Sequence, residues 1–168
     1  VLNVVNKVGL PDAIPYEVVG IDGSQLTTHH MKLMGVQSYK DWNLDNGNVV
    51  VDDDENQFWH RDVTMGEVGC ALSHISIWED AYRNGYDNIL VYEDDIVFRD
   101  TMDWNQFDKV RTMDYDLFYL GRMLQDGFDN VADKPIDDMI CKPDYSYQTH
   151  AYMLSKKGVR KLVENHLP

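Results

Sequence analysis

Apolar residues recur at helical spacing between residues 64 and 85, and a short polar turn then leads into an apolar run at residues 89–92. The first pattern predicts an amphipathic helix. Thr64 and Glu67 fit a capping box at its start, and Asn84-Gly85 forms its stop signal. The second run is too short for a core helix and rich in β-branched and aromatic residues, so it predicts a buried strand.

The same rules extend over the rest of the chain. Further strands are predicted at residues 16–21, closed by Asp22-Gly23, at 117–120, ending at Gly121-Arg122, and at 151–154. Helices are predicted at residues 1–8, 24–34, 104–113 and 156–163, the last capped by Ser155. Residues 41–61 are interpreted as a long polar loop, and residues 125–142 show no regular period. Alternating helices and strands are typical of the α/β class.

Three consecutive carboxylates, Glu93, Asp94 and Asp95, follow the buried strand directly. Adjacent carboxylates repel one another and are costly beside apolar residues unless a cation compensates them. Hard divalent cations prefer oxygen ligands of this kind, so the pattern predicts a metal site at the C-terminal end of a central strand. Glu93 and Asp95 would point the same way from an unbroken strand. The alternative is a solvated turn, because acidic residues are numerous in this chain.

The composition of the chain limits the kinds of binding partner that it is expected to have. The net charge of −14 argues against binding of nucleic acid or anionic membranes through bulk electrostatics, and an anionic substrate would need a metal or local basic residues. No apolar run reaches the length of a membrane span. The two cysteines, Cys70 and Cys141, form neither a zinc pattern nor a disulfide framework, and Cys70 is expected to be a small core residue of its helix.

Small residues form a second stripe on the helix, at Gly66, Gly69, Cys70 and Ser73. Such a stripe allows either another backbone or a ligand to approach closely. His74 follows Ser73, but no neighbouring Asp completes a triad, which disfavours nucleophilic hydrolysis. The Gly121-Arg122 pair at a strand end suits a phosphate or carboxylate contact, although an exposed Arg is the simpler interpretation.

Two sets of sequence blocks stand out: residues 66–74, Trp78 and residues 91–95 in the first, and residues 116–122, 145–152 and 154–162 in the second. Together they resemble glycosyltransferase family 25, which includes bacterial lipooligosaccharide galactosyltransferases and procollagen galactosyltransferases, and the second set favours the procollagen-type branch. The order and spacing of these blocks match the family over nearly the whole chain.

The resemblance implies a GT-A-like fold, with a mostly parallel central sheet flanked by helices, in a single domain over residues 1–168. It also implies a UDP-sugar donor and Mn²⁺ or Mg²⁺ held by Glu93-Asp94-Asp95 as a DXD-type motif, with Asp95 the first expected ligand and Glu93 the second. Donor-binding residues are expected at Gly66, Gly69, Ser73, His74 and Arg122, and acceptor-side residues at Tyr147, Thr149 and Tyr152.

The reaction implied is inverting transfer of a hexose, with galactose favoured, to a hydroxylysine of a collagen-like chain or to an oligosaccharide hydroxyl. Asp94, or a residue outside the chain, would be the base. The family pattern also implies a strand before Val1 and an acidic residue after Pro168, so a domain truncated at both ends is expected. The favoured location is the cytoplasm, which would apply to a bacterial or viral protein. The alternative is the endoplasmic reticulum lumen, which would apply to an animal protein of the procollagen type.

Two other interpretations stay open at this point. A receiver-like phospho-acceptor domain also places paired carboxylates at the end of a hydrophobic strand to bind Mg²⁺. A degenerate sugar-binding module would keep the transferase fold without turnover.

Overall fold

The computed structural model describes residues 18–35, 64–97, 109–110, 112–123, 134–138, 140–143 and 147–166. The chain groups into two compact units, one comprising Val1–Glu79 with His166–Pro168 and the other Asp80–Asn165. The predicted helix at residues 1–8, the predicted loop at 41–61 and most of the helix at 104–113 lie outside the described residues. The single-domain assignment stays a prediction.

Helix α1 (Thr28–Leu33) and most of helix α2 (Met65–Asn84) belong to the first unit. The capping box of α2 is confirmed: Thr64 N donates to Glu67 Oε2 at 2.8 Å, and Glu67 N donates to Thr64 Oγ1 at 3.3 Å. The predicted stop is also confirmed, since Gly85 follows the helix with a φ of 68°. The predicted helix at 24–34 is shorter, because Gly23–Gln25 forms a 3-10 turn and Thr27 caps α1.

The strand predicted at residues 16–21 is not found over its described part. Residues 18–21 pair with no strand, and Ile21 N instead donates to the hydroxyl of Ser73 on α2 at 2.8 Å. A Cβ on Gly69 would lie 2.6 Å from Ile21 O and 2.7 Å from Gly23 N. The small-residue stripe therefore accommodates a neighbouring backbone. Cys70, expected in the core, is exposed.

The second unit contains two antiparallel sheets. Its strands are β1 (Asn88–Tyr92), β2 (Leu117–Met123), β3 (Lys134–Pro135), β4 (Cys141–Lys142) and β5 (Tyr147–Ser155). The larger sheet has the order β1-β5-β2, and both of its pairings are antiparallel. The expected mostly parallel sheet is not confirmed in the described residues, because β5 runs between β1 and β2 in the opposite direction. The β3–β4 hairpin lies in the segment where no period was seen.

Strand β5 forms the core of the second unit. Ala151, Tyr152, Met153 and Leu154 are all buried, with Leu154 fully so. Because successive side chains alternate between faces, both faces of β5 are covered. In the described sheet β5 is the central strand and β1 lies at an edge, so a central position for the acidic strand is not confirmed in the described residues.

Helix α3 (Lys156–His166) follows β5 directly. Ser155 caps it as predicted, accepting a hydrogen bond from Gly158 N at 3.2 Å while its hydroxyl donates to Tyr115 O at 2.6 Å. Gly158 lies so close to the backbone of Asp116 that a Cβ would overlap the carbonyl of that residue. Val159 and Val163 are buried. Among the described residues, no helix is long and apolar enough to cross a membrane.

Candidate metal site at the end of strand β1

The three carboxylates follow β1, but the strand ends before them. Strand β1 ends at Tyr92, Glu93 lies outside any helix or strand, and Asp94 and Asp95 form a turn. The alternation expected of an unbroken strand therefore does not decide where Glu93 and Asp95 point. Asp94 and Asp95 are exposed, whereas Glu93 is half-buried.

Glu93 is bound to β5 through both its backbone and its side chain. Its backbone N donates to His150 O at 2.9 Å, which continues the β1–β5 ladder by one bond. Its carboxylate Oε1 accepts a hydrogen bond from Thr149 Oγ1, also at 2.9 Å. The side chain of Glu93 is thus held against β5, whereas those of Asp94 and Asp95 are exposed to solvent.

Thr149 lies in a bulge of β5. Between the pairs Gly121–Ala151 and Met123–Tyr147, β2 has one residue, whereas β5 has three. Gln148, the first of the three, has a φ of 69°, a left-handed conformation that is uncommon for residues other than glycine. Bulges of this kind redirect side chains and are frequent beside functional sites.

His150, the third residue of the bulge, was not singled out in the sequence. Its imidazole covers Gly121 on β2, where a Cβ would overlap Nε2. No spacing in the sequence links His150 to Gly121, because their contact depends on the shifted pairing register between β2 and β5. Gly121 and Arg122 lie inside β2 and not at a strand end as predicted, and the side chain of Arg122 lies outside the described residues.

The residues predicted on the acceptor side lie in different surroundings. Thr149 is exposed, the side chain of Tyr147 lies outside the described residues, and Tyr152 is only 2% exposed in the middle of β5. Tyr152 would contact an acceptor only if its neighbours moved. Burial raises the pKa of Tyr92 to about 12 and also raises the pKa of Tyr119, so both phenol groups stay neutral at physiological pH.

The donor-side predictions on α2 belong to the first unit. Gly66 is exposed, and a Cβ there would make only an ordinary contact, 3.8 Å from Thr64 Oγ1. Ser73 Oγ donates to Gly69 O at 2.7 Å and accepts from Ile21 N, so its hydroxyl holds the neighbouring segment. His74 is buried, with its ring 6.3 Å from that of Trp78. Donor-binding roles for these residues stay predictions.

The residue types at the end of β1 suit the expected cation, although their ligand atoms do not all lie within 4.8 Å of one another in the described structure. Glu93, Asp94 and Asp95 offer only carboxylate oxygens, which suit Mn²⁺ and Mg²⁺ and not the softer metals that select thiolates. The exposed turn leaves Asp94 and Asp95 accessible to a cation that also carries a phosphate ligand.

A scan against protein-family models matches residues 18–167 to glycosyltransferase family 25, described as an LPS biosynthesis protein family. The chain belongs to this family. The resemblance stated from the sequence blocks is therefore confirmed, and the receiver-like interpretation is set aside.

Relatives include a "Probable inactive glycosyltransferase 25 family member 3" of Rattus norvegicus, 32% identical over 152 residues, which covers 87% of this chain and 24% of that protein. A "Glycosyltransferase 25 family member" of Drosophila melanogaster is 32% identical over 150 residues, or 85% of this chain and 22% of that protein. "Procollagen galactosyltransferase 2" of Homo sapiens is 28% identical over 156 residues, or 87% and 22%.

The family 25 chain thus spans about a quarter of the length of the curated relatives it matches. These relatives are animal proteins, so the cytoplasmic location favoured for a bacterial or viral protein is not supported. Their names include both galactosyltransferases and proteins described as inactive. Family membership therefore leaves turnover to be tested directly.

Proposed function

We propose that this chain is a metal-dependent hexosyltransferase domain of GT-A type. It would bind a UDP-sugar through Mn²⁺ or Mg²⁺ and transfer the sugar, with galactose favoured, to an acceptor hydroxyl with inversion. The observation that carries the proposal is the carboxylate cluster that follows β1 in a family 25 domain, with Glu93 bound to β5 and two exposed aspartates beside it.

Each carboxylate has a separate role in the proposal. Asp95 and Glu93 hold the cation, which when bound neutralises charge on the leaving nucleotide diphosphate. Inversion requires a base that takes the proton of the acceptor hydroxyl as the new bond forms. Asp94 is exposed between the two ligands, and we assign it this role. The net charge of −14 makes the cation necessary, because the bare cluster would repel an anionic donor.

The acceptor class is proposed from the relatives. A human relative is named a procollagen galactosyltransferase, which favours hydroxylysine of a collagen-like chain and a location in the endoplasmic reticulum lumen. An oligosaccharide hydroxyl is the other acceptor to be tested. The relatives named inactive support a second candidate, a sugar-nucleotide-binding domain without turnover.

Thermal unfolding with UDP, Mn²⁺ and both together tests donor binding. A ligand at about a hundredfold excess over its Kd raises the free energy of unfolding by about 2.7 kcal/mol. We expect this shift with UDP plus Mn²⁺ in the parent and its loss in Asp95→Asn. Asp138→Asn, an exposed acidic residue outside the cluster, is the matched control and should keep the shift. An unchanged melting temperature in the parent would contradict the proposal.

Transfer is measured separately, as release of UDP from UDP-galactose with a hydroxylysine-containing collagen-like peptide or an oligosaccharide acceptor. Asp94→Asn is expected to keep the UDP-dependent thermal shift and lose transfer, because it removes the base and leaves Asp95 and Glu93 in place. Donor binding by the parent without transfer to either acceptor would favour the second candidate.

A further inference from the structure

Helix α2 ends in the dipeptide Asn84-Gly85, and both residues are exposed to solvent. An asparagine that precedes a glycine is chemically prone to deamidation, because glycine has no Cβ to keep its backbone nitrogen away from the side-chain amide carbon. The end of α2 therefore carries a reactive pair of groups in contact with water. The hydrogen bonds around them decide whether the two groups can meet.

Both reacting groups are engaged by hydrogen bonds at the end of the helix. Nδ2 of Asn84 donates to Asp80 O at 2.9 Å and to Asp80 Oδ1 at 3.0 Å, which directs the amide back along the helix. The backbone nitrogen of Gly85, which would be the nucleophile, donates to Tyr82 O at 3.2 Å. Gly85 has a φ of 68°, as is common for the residue after a helix. The closed form of this segment, the capping turn (residues 80–86), therefore protects the pair.

The capping turn is placed where opening requires little free energy. It lies at a helix end and is largely exposed, and such segments open locally without unfolding of the core. In the opened turn the Gly85 nitrogen forms a bond to Cγ of Asn84, and Nδ2 leaves as ammonia together with the proton of that nitrogen. Water then opens the resulting succinimide to aspartate or isoaspartate. The sequence of steps needs only water and involves no oxidation or reduction.

Neither product fits the capping turn. A carboxylate at position 84 has no proton to donate and would lie beside the carboxylate of Asp80, in place of an amide that is now 3.0 Å from Oδ1. Like charges four residues apart destabilise a helix, and a negative charge is unfavourable at its C-terminus. Lys156 Nζ lies 3.9 Å from a Cβ built on Gly85, but it already pairs with Asp87 at 3.5 Å. Isoaspartate instead adds one atom to the main chain, which changes the spacing that the cap requires.

We propose that Asn84 is a site of spontaneous deamidation controlled by the capping turn, and that deamidation prevents this turn from closing again. The proposal is independent of the transferase activity. Asp87 O, just beyond the turn, accepts a hydrogen bond from Lys156 N at 2.8 Å, so the same segment connects α2 to the start of α3. Deamidation should therefore lower the stability of the second unit permanently.

The rate of conversion is compared in native buffer and in guanidinium chloride at neutral pH. Peptide mass spectrometry with electron-transfer fragmentation measures aspartate and isoaspartate at position 84. We expect conversion about tenfold slower or more in native buffer, because the reaction requires an opened turn. Equal rates in the two solutions would overturn the proposal, as would absence of conversion in guanidinium chloride.

Asn165 is a matched control in the same chain. It is exposed near the end of α3, and its Nδ2 donates to Lys161 O, also four residues earlier, at 2.6 Å. Histidine and not glycine follows it, so Asn165 should convert more slowly than Asn84 in guanidinium chloride. Conversion of Asn165 as fast as that of Asn84 would contradict the special reactivity of the Asn84-Gly85 pair.

Two substitutions of Asp80 test control by the turn. Asp80→Asn keeps a side-chain acceptor and Asp80→Val removes it, while valine and asparagine have similar helix propensities. In native buffer, Asn84 should convert about two- to tenfold faster in Asp80→Val than in Asp80→Asn, which corresponds to the loss of one hydrogen bond. The rates in guanidinium chloride should agree. Equal native rates would overturn control by the capping turn.

The effect of the product is measured with Asn84→Asp. This variant should melt about 2–4 °C below the parent, and the double variant Asp80→Asn/Asn84→Asp should recover most of the loss, because an amide again faces a carboxylate. Asn165→Asp is the control and should lower the melting temperature less, since Lys161 lies four residues before it. An unchanged melting temperature in Asn84→Asp would overturn the claim that the product prevents closure of the turn.

Discussion

The imidazole of His150 lies over Gly121 on the neighbouring strand, in the space that a side chain at position 121 would occupy. The bulge in β5 produces this contact, since Gly121 pairs with Ala151 while His150 is the last of the three residues that β5 has opposite one residue of β2. Thr149, the residue before His150, donates a hydrogen bond to Glu93. Two successive residues of one irregular segment of β5 therefore contact groups on both sides of that strand.

Replacement of Gly121 by alanine should destabilise the second unit. The added methyl would overlap Nε2 of His150, and overpacking of this kind typically costs about 1–3 kcal/mol of unfolding free energy. Urea denaturation monitored by circular dichroism measures the change. The double variant Gly121→Ala/His150→Ala should be less destabilised than the sum of the single variants, because the overlap is removed. Additive effects would show that the ring moves aside without cost.

Glycines on helix α2 should differ sharply in their tolerance of alanine. Gly69→Ala would place a methyl 2.6 Å from the carbonyl oxygen of Ile21, which is backbone and cannot rotate away. We expect a loss of about 1–3 kcal/mol. Gly66→Ala, the matched control four fifths of a turn earlier on the same helix, meets only Thr64 Oγ1 at 3.8 Å and should be neutral or gain up to about 1 kcal/mol from helix propensity.

These two variants also test the donor-binding prediction for the small-residue stripe. If Gly66 lines the donor site, Gly66→Ala should weaken UDP binding without lowering the melting temperature. Weaker UDP binding in Gly69→Ala would carry no such meaning, because the close approach of residues 21–23 already accounts for a structural requirement at that position.

Local signals in the sequence predicted the elements whose contacts are close in the chain. The capping box of Thr64 and Glu67, the helix stop at Gly85 and the Ser155 cap all depend on groups within a few residues, and all three are confirmed. The strand before Glu93 was predicted for the same reason, since its apolar run is bounded by a turn and an acidic cluster.

These local signals do not predict how strands that are distant in the sequence pair with one another. Hydrophobic runs identify β1, β2 and β5 as buried, but they do not state direction, so the antiparallel course of β5 between the other two was missed. The bulge at Gln148 was also missed, because a residue with a left-handed backbone that is not glycine leaves no trace in composition. The packing of His150 on Gly121 depends on that bulge.

The left-handed conformation of Gln148 predicts that glycine is tolerated at this position. The expected change in unfolding free energy is therefore opposite in sign to the losses expected for Gly121→Ala and Gly69→Ala. A left-handed backbone costs a residue with a side chain roughly 1–2 kcal/mol relative to glycine, whereas glycine gains freedom in the unfolded chain. Gln148→Gly should therefore be neutral or raise the unfolding free energy by up to about 1 kcal/mol. Gln148→Val should lower it, since a β-branched residue tolerates this region least. Destabilisation by Gly would indicate that the Gln148 side chain makes a contact that outweighs the backbone strain.

Loss of the Ser155 hydroxyl should destabilise the junction between β5 and α3. The hydroxyl accepts from Gly158 N and donates to Tyr115 O, so Ser155→Ala leaves two backbone groups without this partner. We expect a loss of about 1–2 kcal/mol in urea denaturation. Ser24→Ala, in an exposed 3-10 turn, is the control and should change stability by less than about 0.5 kcal/mol. Comparable losses in both variants would contradict a specific role for the cap.

Acid should remove the contribution of Asp116 to stability. Its carboxylate accepts a hydrogen bond from Lys161 Nζ at 2.6 Å and lies 3.6 Å from Lys157 Nζ. The hydrogen bond from Lys161 is the main cause that holds the pKa of Asp116 below its ordinary value of 3.8. A lowered pKa in the folded state contributes stability that is present above the unfolded pKa and is lost as pH falls through the folded pKa.

Melting temperatures of the parent and Asp116→Asn should therefore differ at neutral pH and converge as the pH falls below about 4. At the alkaline end, the Asp114 carboxylate, hydrogen-bonded to Lys157, raises the pKa of that lysine above 10.5, so its contribution persists up to that pH and is lost as pH rises further. Asp138→Asn serves as the exposed control. A difference between parent and Asp116→Asn that stays constant into acid would show that the lysine pairs contribute nothing, since protonation of the carboxyl would then cost no stability.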